Sequence, residues 1–235
     1  MGNSKLRLCS ICARGGSKGI KNKNIRVINN LPLIAYSILQ AQEAGIFDYI
    51  AVSSDSQEIL NVASQYGVKF LIERPLEFAL DTSAKIPAIR HCVESVENMT
   101  KKKFDTLVDL DATSPLRLSS DIVAAVSMME DKNCSNVITG CVARRSPYFN
   151  LVEMNENGFV KLSKPLEKPI VRRQDSPRCF DMNASIYAWK RDVFLKEPKV
   201  FYDDTIIYEM PDERSIDIDS ELDFQIVEFL LKKRA

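Results

Sequence analysis

The stretch L-R-L-C-S-I-C-A-R-G-G-S-K-G-I-K-N-K-N (6–24) decides the fold. Residues 6–13 are an apolar run of strand length that ends directly in a glycine-rich, basic loop. Beyond it, short apolar runs alternate with segments of helical period. Residues 31–44 read as a helix with Gly45 just past its end, 49–53 as a strand, 56–66 as a helix stopped by Gly67, and 68–72 as a strand. A helix over 82–99 with an N-cap at its start, a strand over 104–110, a helix over 119–130 and a strand over 136–142 continue the pattern. Such alternation with short connections predicts an α/β fold: three layers, doubly wound, with a mainly parallel sheet covered by helices on both faces.

The pattern changes after residue 143. Two short strands, 151–154 and 159–162, flank N-E-N-G (155–158) and read as a β-hairpin, and 163–180 is a Pro- and Arg-rich loop. Strands are expected over 184–189, 206–210 and 215–218. A closing helix is expected over 220–233, with Asp219 or Ser220 as its N-cap and a basic C-terminal end. The organisation predicted is one domain over 1–235, with 143–182 as an inserted hairpin-and-loop arm.

Composition narrows the function. A chain of 235 residues buries about 70% of its unfolded surface, enough for a core without disulfides or a structural metal. The 32 basic and 32 acidic residues cancel, which argues against a nucleic-acid binder. No apolar run reaches the ~20 residues that span a bilayer. Six scattered cysteines read as reduced thiols, which predicts a cytoplasmic setting. Cys9 and Cys12 lie three apart on a strand and so point to opposite faces, which makes them core rather than a metal pair. The single histidine, His91, sits in a predicted helix and reads as a satisfied packing residue, which disfavours triad hydrolases.

The charges are segregated. Residues 14–26 hold Arg14, Lys18, Lys21, Lys23 and Arg26 and no acid, together with Gly15, Gly16 and Gly19. At the C-terminal end of a parallel strand, such backbone N–H groups and cations cradle a polyphosphate, although the loop matches neither G-x-x-x-x-G-K-[ST] nor G-x-G-x-x-G. The plainer reading is a solvated basic turn. Residues 203–223 hold nine acids and one base. If residues 215–218 are extended, Asp217 and Asp219 share one face and Ile216 and Ile218 the other. Two carboxylates on one edge suit Mg²⁺, with Mn²⁺ as the substitute, although chance supplies about one D-x-D in this composition and Asp109-Leu110-Asp111 is a second. A basic glycine loop and an acidic pair together fit a magnesium–nucleoside triphosphate enzyme.

The loop 13–24 resembles the signature of the acylneuraminate cytidylyltransferases, the CMP-sialic acid synthetases. So do S-S-D (53–55), R-P (74–75), D-T-S (81–83), A-T-S-P-L-R (112–117), R-R-Q (172–174), N-A-S-I-Y (183–187) and S-I-D-I-D-S-E-L-D (215–223), in family order along nearly the whole chain. The resemblance implies a Rossmann-like nucleotidyltransferase fold and CMP transfer from CTP to the anomeric hydroxyl of a nonulosonic acid, with Mg²⁺ and release of pyrophosphate. It places Arg14, Gly15, Gly16, Ser17, Lys23, Asn24, Arg74 and Ser83 on the nucleotide, with Ser83 alternatively a helix cap. It gives catalysis to Arg14, Lys23, Asp217 and Asp219, the last two holding the metal. The acid falls to Asp111, Thr113, Ser114, Arg173, Gln174 and Asn183.

One departure stands out. Many members carry Gln where this chain has Asp111, and a carboxylate there repels a sugar carboxylate but accepts bonds from amides or hydroxyls. L-D-A-T-S-P-L-R (110–117), 144–153 and 179–189 look closest to the branch that acts on legionaminic acid. The resemblance also implies a homodimer in which the arm, with Tyr148, Phe149, Phe159 and Phe180 as exposed aromatics, lends residues to the partner's site. The rivals are a Kdo cytidylyltransferase, a D-x-D glycosyltransferase and a non-catalytic nucleotide-binding protein.

Overall fold

A strand flanked on both sides by parallel neighbours loses both its faces to helices, and β1 (Arg7–Cys12) shows it. Leu8, Cys9 and Ile11 are fully buried, with Cys9 and Ile11 in one apolar cluster and Leu8 in the other. The computed structural model describes residues 5–16, 19–80, 83–168 and 170–234. After β1 come β2 (Val27–Ile28), β3 (Leu31–Pro32), α1 (Leu33–Ala44), β4 (Tyr49–Ser54), α2 (Gln57–Gln65), β5 (Phe70–Glu73), α3 (Lys85–Thr100), β6 (Thr106–Leu110) and α4 (Ser119–Lys132). The second half holds β7 (Asn136–Val142), β8 (Val152–Met154), β9 (Val160–Leu162), β10 (Phe180–Lys190), α5 (Arg191–Lys196), β11 (Ile206–Glu209) and α6 (Glu221–Arg234).

Seven strands form the central sheet in the order β11-β7-β10-β6-β1-β4-β5. All pairs are parallel except those of β10, which runs antiparallel to both β6 and β7. Helices α1, α2 and α4 cover one face through Ile38, Leu60 and Val126. Helix α3 and the short α5 cover the other through Ile89, Val93 and Phe194, packed on Trp189. This is the three-layer, mainly parallel architecture read from the sequence. Cys9 and Cys12 face opposite clusters, and all six cysteines are free. Among the described residues no helix is long and apolar enough to cross a membrane.

Topology fixes where a ligand can go. After β1 the chain adds β4 and β5 on one side, then returns to place β6 on the other. The loops leaving the C-terminal ends of β1 and β6 therefore diverge and open a crevice. A third apolar cluster closes one end of it, joining Ile20 of the basic loop, Ile28, Leu33, Leu116, Ile218 of the acidic segment, and Phe224, Val227 and Leu231 of α6.

Several expectations shift. Residues 215–218 are not a strand. Pro211 has no N–H to continue a ladder, and a 3-10 turn (Asp212–Arg214) swings Arg214 onto Asp121, where its Nε and Nη2 donate at 2.9 Å each. One bond remains, from Ile218 N–H to the Thr113 carbonyl at 3.0 Å. Strand β10 begins at Phe180, four residues before its expected start, and its pairing to β7 is irregular between Met182 and Tyr187, where Ala184 has φ 51°. Thr82, the expected cap of α3, lies outside the described residues. The helix starts at Lys85, and Ala84 makes no side-chain cap bond. Ser220 caps α6: its N–H donates to Asp223 Oδ2 at 2.8 Å and its Oγ accepts from Asp223 N–H at 3.3 Å.

The buried Arg117 ties three of these elements together. Its guanidinium donates to the Ser185 carbonyl at 2.5 Å, the Asp111 carbonyl at 2.6 Å, Gln40 Oε1 at 2.9 Å and the Ser37 hydroxyl. Burial pushes its pKa down to about 10, so its charge survives at neutral pH. Arg117→Met removes these charged donors and leaves Gln40 Oε1 without its guanidinium partner. Urea unfolding should show a loss of roughly 2–4 kcal/mol; a loss under about 1 kcal/mol would make the hub dispensable.

Candidate active site

At the switch point lies a cleft of about 440 Å³, within the range that holds small ligands. Arg14, Lys23, Asn24, Arg74, Ser83, Asp111, Thr113, Asp217 and Asp219 all line it. The basic loop and the acidic segment, some 195 residues apart in the chain, meet there. Lys23 Nζ donates to the Ile218 carbonyl at 2.6 Å and lies 3.1 Å from Asp219 Oδ1. Gly19 allows the close approach, since a Cβ there would come within 2.6 Å of the Asp219 carbonyl oxygen.

Neighbouring bonds hold the loop in shape. Gly15 N–H donates to Asp55 Oδ1 at 2.9 Å, which explains the aspartate of S-S-D. Asn24 is buried; its Nδ2 donates to the Arg14 carbonyl at 2.9 Å, and its Oδ1 has no partner among the described residues. Gly15 and Gly16 line a smaller recess beside the cleft, shared with Arg14 and Asn24. Ser17 lies outside the described residues. Across the cleft, Arg74 is pinned by its Nη2 to the Ser53 carbonyl at 2.8 Å. Ser83 donates to the Glu77 carbonyl at 2.8 Å, so it is not the cap of α3. Phe78 and Leu80 give this wall an apolar surface on which a base can lie.

Two carboxylates stand at the opposite end. Burial pushes the Asp217 carboxyl above its usual range, and the neighbouring Asp219 adds to the shift. Such a pair attracts a cation, and its oxygens are the donors a hard divalent ion takes.

The other D-x-D pair also belongs to the cleft, through a residue the sequence reading missed. Lys85, in the first turn of α3, holds its Nζ 2.8 Å from Asp109 Oδ2 and 2.8 Å from Asp111 Oδ2. Asp109 is fully buried, and its other oxygen accepts from Ser10 Oγ at 2.7 Å. Asp111 Oδ1 accepts from Thr113 N–H at 3.0 Å and Thr113 Oγ1 at 2.9 Å. Burial works to raise the Asp111 pKa, but Lys85 and Thr113 outweigh it and hold the carboxyl well below its usual range. Burial likewise works against the Lys85 charge, and the two carboxylates outweigh it. Asp111 does accept hydrogen bonds, but from within the chain: Lys85 takes one of its oxygens and Thr113 the other. The available signal was a lysine two residues after D-T-S, able to reach the end of the adjacent strand.

Other named residues lie elsewhere. Ser114 is buried, with no partner for its Oγ among the described residues. Asn183 is buried in the β10 irregularity: it accepts from Thr139 Oγ1 at 2.7 Å and Ser185 N–H at 3.1 Å, and donates to Ser215 Oγ at 3.0 Å. It shapes the strand and tethers the acidic segment. Gln174 lies in a 3-10 turn (Arg173–Asp175) and lines a separate recess with Arg145 and Arg178. The side chain of Arg173 lies outside the described residues. His91 is off the cleft against Phe78, with ring centroids 5.6 Å apart, and its buried Nδ1 has no partner among the described residues, contrary to the satisfied histidine expected.

Asp111→Asn tests the Lys85 pair. A carboxylate whose folded pKa lies below its unfolded value stabilises the fold above the ordinary carboxylate pKa of about 4, and that stabilisation fades as pH falls toward the folded value. The variant should lose roughly 1–3 kcal/mol at pH 7 and markedly less near pH 3, by denaturant unfolding. An equal loss at both pH values would show that the ion pair does not stabilise the fold.

Comparison with known proteins shows the family of the chain. Residues 8–228 match the cytidylyltransferase family. A Campylobacter jejuni protein, CMP-N,N'-diacetyllegionaminic acid synthase, is 50% identical over 224 residues, covering 95% of this chain and 94% of its own. The post-translational flagellin modification protein B of Campylobacter coli is 48% identical over 227 residues, covering 97% and 95%. In structure, the CMP:2-keto-3-deoxy-manno-octonic acid synthetase in complex with CTP superposes with a TM-score of 0.69, at 17% identity, over 98% of this chain and all of its own, which supports the fold. With so much of its length matched, the chain belongs to the cytidylyltransferase family.

Proposed function

We propose that this protein transfers CMP from CTP to the anomeric hydroxyl of a nonulosonic acid, an acid of legionaminic type in preference to N-acetylneuraminic acid, with release of pyrophosphate. The observation that carries the reading is the 3.1 Å contact of Lys23 Nζ with Asp219 at one end of a nucleotide-sized cleft. The relative that shares half its sequence is named for making the CMP derivative of diacetyllegionaminic acid.

In the reaction the acceptor oxygen forms a bond to the α-phosphorus as the bond from that phosphorus to the β-phosphate oxygen breaks. Arg14, Lys23 and the Gly16 N–H hold the phosphates and take up charge on the leaving pyrophosphate, while Gly15, its N–H given to Asp55, keeps the loop in shape. Asn24, Arg74 and Ser83 hold the cytidine, and one of Asp217 and Asp219 accepts the hydroxyl proton. The carboxylate pair fits Mg²⁺, which would neutralise phosphate charge there. Kdo is the control acceptor.

An acceptor panel with CTP, Mg²⁺ and pyrophosphate detection should give a higher kcat/KM for N,N'-diacetyllegionaminate than for N-acetylneuraminate. Equal or reversed values would overturn the preference, and silence with every nonulosonate would leave a nucleotide-binding protein. Asp219→Ala should lower kcat/KM by at least about 100-fold while CTP affinity falls less. Near-normal turnover would remove Asp219 from the site.

The segment 143–182 is proposed as the arm of a homodimer working in the cytoplasm. Of its named aromatics only Phe159 is exposed, 73%, while Tyr148, Phe149 and Phe180 are half-buried. Val152, Met154 and Val160 of the β8–β9 hairpin are exposed with Phe159, an apolar surface larger than a lone hairpin warrants in water. Gln174 and the arginines beside it would serve the partner's acceptor site. Sedimentation should give a dimer at micromolar concentration; a monomer there ends the dimer proposal.

A further inference from the structure

Resting on that reading, we propose that Lys85 binds the acceptor, donating a hydrogen bond to the carbonyl oxygen of its acylamino group, and that Asp109 and Asp111 are positioning residues that aim the ammonium.

An ammonium has three N–H bonds. In Lys85 one is donated to Asp111 Oδ2 at 2.8 Å, while Asp109 Oδ2 lies equally near, at 2.8 Å, as an ion-pair partner without hydrogen-bond alignment. The Tyr187 ring lies 5.3 Å to one side, and the side chain remains 30% exposed where it lines the cleft. An N–H is left for a ligand in the cleft. The two carboxylates fix its direction more closely than a solvated lysine allows, because Asp109 is fully buried and Asp111 is itself held by Thr113.

Charge then selects the ligand atom. Asp109, Asp111 and Lys85 together carry one net negative charge, and Asp217 and Asp219 lie along the same cleft. A phosphate or second carboxylate would meet repulsion from the carboxylates that hold the lysine. A neutral oxygen meets none, and it still gains a charge-assisted bond. The triphosphate has its own partners in Arg14, Lys23 and the loop N–H groups, so Lys85 is left to the acceptor. Among neutral oxygens of an acylamino sugar acid, an amide carbonyl is a stronger acceptor than a hydroxyl and, unlike it, brings no proton of its own to place.

The test compares wild type with Lys85→Met, a side chain of similar length and no donor, and with Lys85→Gln, which fills the site without charge should the methionine variant fail to fold. Wild type is first assayed for pyrophosphate release from CTP with N,N'-diacetyllegionaminate. Silence there removes the transferase reading, and calorimetric affinity for that acid in the presence of CTP then examines Lys85 separately. The expected result is a 10- to 100-fold rise in the acid's KM or dissociation constant, of the order of one charged hydrogen bond, while the KM for CTP moves less than about threefold. The analogue acid with hydroxyls in place of acylamino groups, used as substrate or competitor, should bind wild type and variant within about threefold of each other. An unchanged KM for the acid, a parallel rise in the KM for CTP, or equal losses for the acylamino and hydroxy acids would overturn the proposal.

Discussion

The cleft depends on an apolar clasp beneath two charged segments. Ile20 of the basic loop and Ile218 of the acidic segment are buried in one cluster with α6. Opposite charge alone could not hold these segments together: Asp219 is 76% exposed, and ion pairs in such settings contribute about 0–1 kcal/mol. Burying an isoleucine contributes roughly 1.5–3 kcal/mol, and the clasp buries one from each segment. The bond from Ile218 N–H to the Thr113 carbonyl then sets the height of Asp217 and Asp219 against the end of β6. The electrostatics of the site are thus bought with hydrophobic burial.

The two aspartate pairs divide the cleft. Asp109 and Asp111 continue β6 and have a permanent counter-ion in Lys85. Asp217 and Asp219 follow an irregular turn, and among the described residues only Asp219 has a lysine, which it shares with a carbonyl. Each pair thus has one lysine and is left with one net negative charge. In the second, burial and the neighbouring Asp219 push the Asp217 carboxyl up. One D-x-D is therefore paired with an ammonium from α3, and the other lies against the lysine of the basic loop.

Much of the fold was legible because its strands are buried on both faces, and continuous apolar runs such as 6–13 and 104–110 signal that state directly. The basic loop was legible because five cations without an acid in thirteen residues are rare by proportion. Periodicity failed at 215–218, where alternation of Ile and Asp does mark an inner and an outer face, yet Pro211 and the Arg214–Asp121 bond prevent pairing into the sheet. Lys85 was hidden because its partners are 24 and 26 residues away, a relation set by where α3 docks rather than by any local pattern. For the same reason Asp109-Leu110-Asp111 looked like a chance repeat. Asn183 matched a motif, but its amide is spent on a strand irregularity that only tertiary pairing creates.

Neutral net charge and a strongly polarised cleft are compatible because the charges are sorted along the chain before they meet in space. The nucleotide's phosphates need an end of the cleft rich in cations and N–H groups, while a neutral acceptor oxygen needs a cation screened from them. Placing Lys85 on α3 and the other cations on the loop after β1 puts the two sets on different elements that line one cleft. The divergence of the chain after β1 and β6 creates that cleft. Substitutions in the Lys85 trio can therefore retune the acceptor while the phosphate end, anchored by its own clasp, keeps its geometry.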